Sequence, residues 1–145
     1  ISWKSLKNRY SSEKSLSLED FENIFTIKDS NIFNLQYGDV KENLKNFTKK
    51  QKYKIITLET LDLFNNFSGL ANLLKNLDIF VTVSNSTAHL SGALGIKTIL
   101  IKPANHASFH YWNYEDGKTP WYETINIISK ENLKDGKFMD HLLKL

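Results

Sequence analysis

Residues 78–95 read DIFVTVSNSTAHLSGALG, and this stretch decides the fold. Its first six residues are apolar on both faces, the composition of a central parallel strand covered by helices on either side. Ser84, Asn85, Ser86 and Thr87 then place several capping residues in a row, and the helix expected from there stops at Gly95, a natural C′ glycine. The reading is a buried strand that turns directly into a helix. In an open α/β sheet, ligands gather beyond the carboxyl ends of the strands, where helix N-termini point their unpaired N–H groups. Small side chains at Ser84 to Thr87 let an anion approach the backbone, so a diphosphate fits such a corner. The same residues also have a plainer use, in which Ser84 or Ser86 only caps the helix.

Outward from this corner, strand and helix alternate. Upstream, GLANLLKNL (69–77) carries Leu70, Leu73, Leu74 and Leu77 on one stripe, with Ser68 as its expected cap; downstream, TILIK (98–102) repeats the buried-strand pattern. Ile1-Ser2-Trp3 is strand-like, and Ser17 precedes LEDFENIF (18–25), where Leu18, Phe21 and Phe25 recur at helical spacing and Asp20 sits in the first turn. NIFNLQ (31–36) reads as a short strand, Tyr37-Gly38-Asp39 as a turn, VKENLKNF (40–47) as a second amphipathic helix and YKIITL (53–58) as a third strand. The tail gives an aromatic-rich loop from Pro103 to Tyr122, a strand TINIIS (124–129) and a closing amphipathic helix (131–145) weakened by Gly136. This alternation predicts an α/β fold, a three-layer Rossmann-like domain with a mostly parallel, doubly wound sheet. One domain spans residues 1–145, and its strand-like opening without a turn or cap predicts more chain upstream.

Composition narrows the chemistry. A chain of 145 residues with 41% hydrophobic content is of ordinary size for one core. The lack of Cys excludes disulfides, thiolate zinc sites and cysteine nucleophiles, and it fits a reducing compartment: the cytoplasm, with or without peripheral attachment at the inner membrane. No apolar run approaches the roughly 18 residues needed to span a bilayer. The net charge of +3 raises the question of a nucleic-acid partner, but the lysines are spread over every segment beside Asp, Glu or Asn and read as solvated surface.

The order ISWKS (1–5), KSLSLEDF (14–21), NLQYGD (34–39), residues 69–95 and SFHYWNYEDGKTPWY (108–122) resembles the C-terminal domain of glycosyltransferases related to the heptosyltransferases, glycosyltransferase family 9, most of all the variants appended to tetratricopeptide repeats. The resemblance implies one half of a GT-B fold, two Rossmann-like domains facing across a cleft, with the sugar nucleotide held mainly by the second. It implies metal-independent, inverting transfer from a nucleoside-diphosphate sugar to an acceptor saccharide or protein, with no cofactor, and with the acceptor-activating base in the N-terminal domain.

Carried over position by position, the resemblance puts the donor phosphates near Ser84, Asn85, Ser86 and Thr87, with His89 on the first turn of the helix. Heptosyltransferases have Asp, Thr, Gly where this chain has Ser84, Asn85, Ser86, so the donor's identity does not transfer. His89 either bonds a phosphate or ribose, or packs between helix and sheet. Lys14 matches a family lysine that stabilises the leaving diphosphate, where negative charge accumulates in the transition state; on residue type alone it is a solvated loop lysine. Lys4 is a second candidate cation and Arg9 a third. Tyr37, Gly38 and Asp39 border the nucleoside in this reading, although Gly38 also serves simply as a turn glycine. Glu42 falls where relatives carry an acidic residue near the ribose, and otherwise faces solvent.

Aromatic faces in the loop at Phe109, Tyr111, Trp112, Tyr114, Trp121 and Tyr122 suit sugar rings, or form a satellite core that takes in at least Trp121. His106 and His110 have i, i+4 spacing but lack a helical pattern and a third ligand, so no metal is expected, and there is no Asp-x-Asp motif. Two rivals accompany the donor-binding reading: a non-catalytic nucleotide-binding or scaffolding module, and a basic nucleic-acid-binding domain.

Overall fold

The computed structural model describes residues 1–6, 10–51, 53–102, 110–112, 117–134 and 138. Phe80–Thr82 (β1), Thr98–Lys102 (β2), Lys118–Thr119 (β3) and Tyr122–Ser129 (β4) form one sheet in the order β1-β2-β4-β3. β1 runs parallel to β2 with Phe80 opposite Thr98, and β2 runs parallel to β4 with Thr98 opposite Ile125. β3 is antiparallel to β4, which makes the α/β fold mostly rather than wholly parallel. Gly117 makes that hairpin feasible. Its φ is +69°, and a Cβ there would sit 2.9 Å from the Ile127 carbonyl oxygen, so the close pairing of the two backbones needs glycine.

The strands read from residues 1–3, 31–36 and 53–58 are less regular than expected, yet they are bonded side by side. Ser2 N–H donates to Val81 O at 3.1 Å, the Ile1 amine donates to Phe33 O at 2.7 Å, and Leu35 N–H donates to Ile1 O at 2.9 Å. Asn34 N–H then reaches Ile56 O at 2.8 Å, where Phe33 and Ile56 form an isolated parallel bridge. The first segment therefore lies between β1 and the Phe33–Leu35 segment.

Alternation along the central strands explains the two-sided apolar runs. Val81, Val83, Ile99 and Ile101 pack in one cluster with Trp3, Leu18 and Phe21, whereas Phe80 packs with Leu35, Leu70 and Leu74. Leu100 turns to a third cluster with Ala88, Trp112 and Ile125. Neighbouring residues point to opposite faces of a strand, so each face needs its own cover.

The helices are Ser11–Lys14 (α1), Lys41–Gln51 (α2), Phe67–Lys75 (α3), Ser86–Ala93 (α4) and Lys130–Lys134 (α5). α3 begins two residues earlier than its leucine stripe suggests and is capped by Asn66 rather than Ser68, the Asn66 amide oxygen accepting from Gly69 N–H at 2.8 Å. The helix expected over residues 18–25 is a 3-10 helix, Leu18–Thr26, wound more tightly than an α-helix. Its buried residues are Leu18, Phe21 and Ile24, spaced by three so that they eclipse on one face, while Phe25 is only partly buried. Asp20 fixes its start by accepting from Ser17 N–H and Oγ at 3.0 Å each, and pairs with Lys130 of α5 at 3.0 Å. Of the closing helix, α5 and the buried Phe138 are described; Gly136 lies outside the described residues. Among the described residues no helix is long and apolar enough to cross a membrane.

Candidate functional site

α4 is held at both ends by its own sequence. At its start Asn85 is the N-cap, its side-chain oxygen accepting from Ala88 N–H at 3.0 Å. At its end Gly95 N–H donates to Gly92 O at 3.1 Å and Ile96 N–H to Ser91 O at 2.9 Å, the paired bonds of a Schellman motif, with Gly95 at φ +69°. Gly92 in its last turn faces β4 so closely that a Cβ would lie 2.5 Å from the Tyr122 ring and 2.8 Å from Ile125. The helix therefore cannot slide or lift from the sheet without losing named contacts.

Neither Ser84 nor Ser86 is the cap. Ser84 is buried, and its Oγ accepts from Trp112 Nε1 at 2.9 Å; Thr87 is buried as well, whereas Ser86 is exposed. Asn85 does more than cap. Its amide Nδ2 donates to Ser2 Oγ at 2.9 Å, to Thr82 Oγ1 at 3.2 Å and to the Lys4 carbonyl at 3.4 Å, which binds the corner to the first residues of the chain. Gln36 extends the network, its Oε1 accepting from Ser2 Oγ, Trp3 N–H and Lys4 N–H at 3.0, 2.9 and 2.7 Å. These bonds satisfy buried polar groups that would otherwise cost about 1–3 kcal/mol each.

Lys14 is not a solvated loop lysine. It ends α1, is only 5% exposed, and lies close enough to His89 to act on it electrostatically. Two bonds bring it there: Leu16 N–H donates to Trp3 O at 2.9 Å, and Ser5 N–H donates to Ser15 Oγ at 3.1 Å. Tyr10, at φ +70°, starts α1 in a left-handed conformation that costs a non-glycine residue about 1–3 kcal/mol and persists only where its surroundings hold it.

His89 is half-buried in an aromatic nest. Its ring stacks on Trp112 at 4.7 Å and 27°, meets Tyr111 edge-on at 4.9 Å, and its Nδ1 is 3.0 Å from Tyr122 Oη. Burial, and then the nearby Lys14 charge, hold the imidazole below the usual histidine value. His89 is therefore neutral near pH 7.

Tyr37 and Gly38 border a cleft of about 740 Å³ that runs from Asn34 and Gln36 to Leu58, Asp62 and Phe64. Gly38 has φ +86°, and a Cβ there would meet Leu6 at 2.5 Å, so its role as a turn glycine is structurally required. Phe64 is 59% exposed and tilts against Tyr37 at 5.8 Å, leaving aromatic surface on the cleft wall. Gln36 belongs both to this wall and to the network that reaches Asn85, so the cleft and the α4 corner are mechanically joined. Glu42 is exposed in the first turn of α2 and is not among the residues lining the cleft.

The structure thus brings Lys4, Lys14, His89 and residues 84–87 to one corner and puts Tyr37 and Gly38 beside it, with Glu42 apart. Sequence reading missed Gln36 as part of this site and named Tyr122 for its aromatic face but not as the partner of His89, since the partners lie 34 and 33 residues away and no spacing rule reaches that far. The expectation for Trp121 is overturned: it is 62% exposed at the β3–β4 turn, whereas Trp112 is the buried tryptophan of this segment. Arg9, His106, Phe109 and Tyr114 lie outside the described residues, as does the His110 side chain. Among the described residues no group of three or more His, Cys, Asp or Glu is gathered as a metal site.

Protein FlbA of Caulobacter vibrioides is similar to this chain, with 26% identity over 132 residues, covering 89% of the chain and 21% of FlbA. The chain thus spans about a fifth of that relative's length. No family model and no solved structure matches it.

Proposed function

We propose that this domain binds the donor of a GT-B glycosyltransferase, a nucleoside-diphosphate sugar, and stabilises the diphosphate as it leaves. The observation that carries this reading is that Lys14 is buried close enough to His89, in the first turns of α4, to act on it electrostatically. Negative charge accumulates on a departing diphosphate, and a lysine at this corner is suited to stabilise it.

Three further features support it. Counting the bonded segments at residues 1–3, 33–35 and 56 as strands gives the order 3-2-1-4-5-6 together with β1, β2 and β4, with the antiparallel β3 at the far edge. This order supports reading the fold as a doubly wound, three-layer Rossmann-like domain, in which the switch point would fall between the first segment and β1, beside Lys4 and Ser84–Thr87. The helix N-terminus adds its dipole and backbone N–H groups to the Lys14 charge. The cleft beside Tyr37 and Phe64 has room and aromatic surface for a nucleoside, one hydrogen-bond network away from the phosphate corner. The acceptor, saccharide or protein, would meet the donor through an N-terminal domain that also carries the base, in the cytoplasm or at the inner membrane.

One observation favours the non-catalytic alternative. Ser84 stands where heptosyltransferases have Asp, and its hydroxyl is already engaged by Trp112. Calorimetric titration of the full chain with nucleoside diphosphates, nucleoside monophosphates and inorganic pyrophosphate tests the reading. Diphosphates should bind more tightly than monophosphates. Equal, negligible heats for all three would overturn it, and steeply salt-dependent binding of oligonucleotides in their place would point to a nucleic-acid surface. Diphosphate binding without sugar transfer, when the chain is joined to its N-terminal domain, would select the non-catalytic module.

A further inference from the structure

We infer that Tyr122 is a positioning residue for His89: its phenol donates to Nδ1 and holds the imidazole as the Nε2–H tautomer, an uncharged hydrogen-bond donor for an oxygen of the anion at the α4 corner. The tautomer rests on geometry alone, whereas the anion it serves rests on the donor-binding reading.

The Nδ1 to Oη distance of 3.0 Å is a hydrogen bond whose direction follows from acidity. A phenol O–H is a stronger donor than a neutral imidazole N–H, and the bare imidazole nitrogen is a stronger acceptor than a phenol oxygen. The proton therefore sits on Tyr122 and points at Nδ1, which leaves the imidazole's own proton on Nε2. Among the described residues, Nε2 of His89 has no hydrogen-bond partner, although the ring is only half-buried. That N–H remains available to a ligand.

Both rings are held so that this arrangement persists. The Trp112 stack and the Tyr111 edge contact fix the plane of His89, and Trp112 is itself anchored to Ser84 in the strand-to-helix corner. Tyr122 opens β4, and its ring lies where only glycine at position 92 leaves space, so its hydroxyl has one place to be. A neutral His89 adds a directed hydrogen bond at this corner without placing a further charge there. A positioned second residue of this kind fixes a ring's tautomer in metal sites by the same logic.

Selective 15N-histidine labelling of the full chain decides the tautomer, because long-range proton–nitrogen correlations distinguish Nδ1–H from Nε2–H. His89 should give the Nε2–H pattern, and Tyr122→Phe, which keeps the ring against Gly92, should convert it to a mixture. A wild-type Nδ1–H pattern, or no change in Tyr122→Phe, overturns the inference. Inorganic pyrophosphate tests the donor: Tyr122→Phe should bind it about fivefold more weakly, the effect of one neutral hydrogen bond. Unchanged affinity alongside a changed tautomer would remove Nε2–H from the anion site. A wild-type chain that binds no pyrophosphate would instead sink the donor-binding reading, and the tautomer measurement would still decide what Tyr122 does.

Discussion

Trp112 Nε1 donates to Ser84 Oγ at 2.9 Å, joining two buried residues 28 positions apart. Through this bond the loop after β2 holds the end of β1's connection to α4. Trp112→Phe would leave the Ser84 hydroxyl buried without its donor and reduce the stack beneath His89. A loss of about 2 kcal/mol is expected, combining an unsatisfied buried group with a partly emptied ring site. Urea denaturation measures it, and a change below about 0.5 kcal/mol would show that the bond is dispensable.

Lys14→Met keeps most of the buried stem and removes the charge. On the proposed donor-binding reading, kcat of the full-length protein should fall at least about tenfold, equivalent to ~1.4 kcal/mol of transition-state stabilisation. An unaltered kcat would remove Lys14 from the mechanism.

Phe64→Ala separates nucleoside from phosphate. Because Phe64 is 59% exposed, its truncation should alter stability by no more than about 0.5 kcal/mol. Affinity for a nucleoside diphosphate should fall while affinity for inorganic pyrophosphate stays constant. Parallel losses for both ligands would place the nucleoside elsewhere.

Gly92→Ala pits two effects against each other. Alanine gains up to about 1 kcal/mol of helix propensity, but its Cβ would sit 2.5 Å from the Tyr122 ring and 2.8 Å from Ile125. Overpacking of this kind costs about 1–3 kcal/mol, and neither neighbour is the free end of a flexible chain on open surface. Net destabilisation is expected, read from the denaturation midpoint; a stabilised variant would mean that β4 yields easily.

His89 carries a pH signature. Its folded-state pKa lies below the ordinary 6.5 through burial first and the Lys14 charge second, so on acidification the unfolded chain takes up a proton that the folded chain resists. The neutral ring's contribution is fully present above pH 6.5 and is lost as pH falls toward the folded value. Between pH 7 and 5 the wild type should lose more stability than His89→Gln, and matching slopes would argue against the depressed value.

The α4 corner was legible because its signals are local. A two-sided apolar run, a cluster of cap residues and a C′ glycine lie within eighteen consecutive positions, residues 78–95, and each has a short-range cause. The 3-10 form of Leu18–Thr26 was hidden because Leu18 and Phe21 fit either period, and Ile24 rather than Phe25 settles it only once the core is known. The tie of Asn85 to Ser2 and Lys4, the burial of Lys14 and the pairing of Tyr122 with His89 depend on segments that meet only in space. Their residue types are compatible with surface roles, so sequence left them among several readings.

The three bonds of the Asn85 amide set the order in which the corner can be built. α4 can nucleate from neighbouring residues, but Ser2 and Lys4 are 83 and 81 positions away, and closing a loop of that length carries an entropy that local helix contacts do not repay. The corner should therefore mature after the hydrophobic pairing of β1 and β2, as a late event in folding. Asn85→Ala would then act chiefly on the unfolding rate and leave the folding rate nearly unchanged.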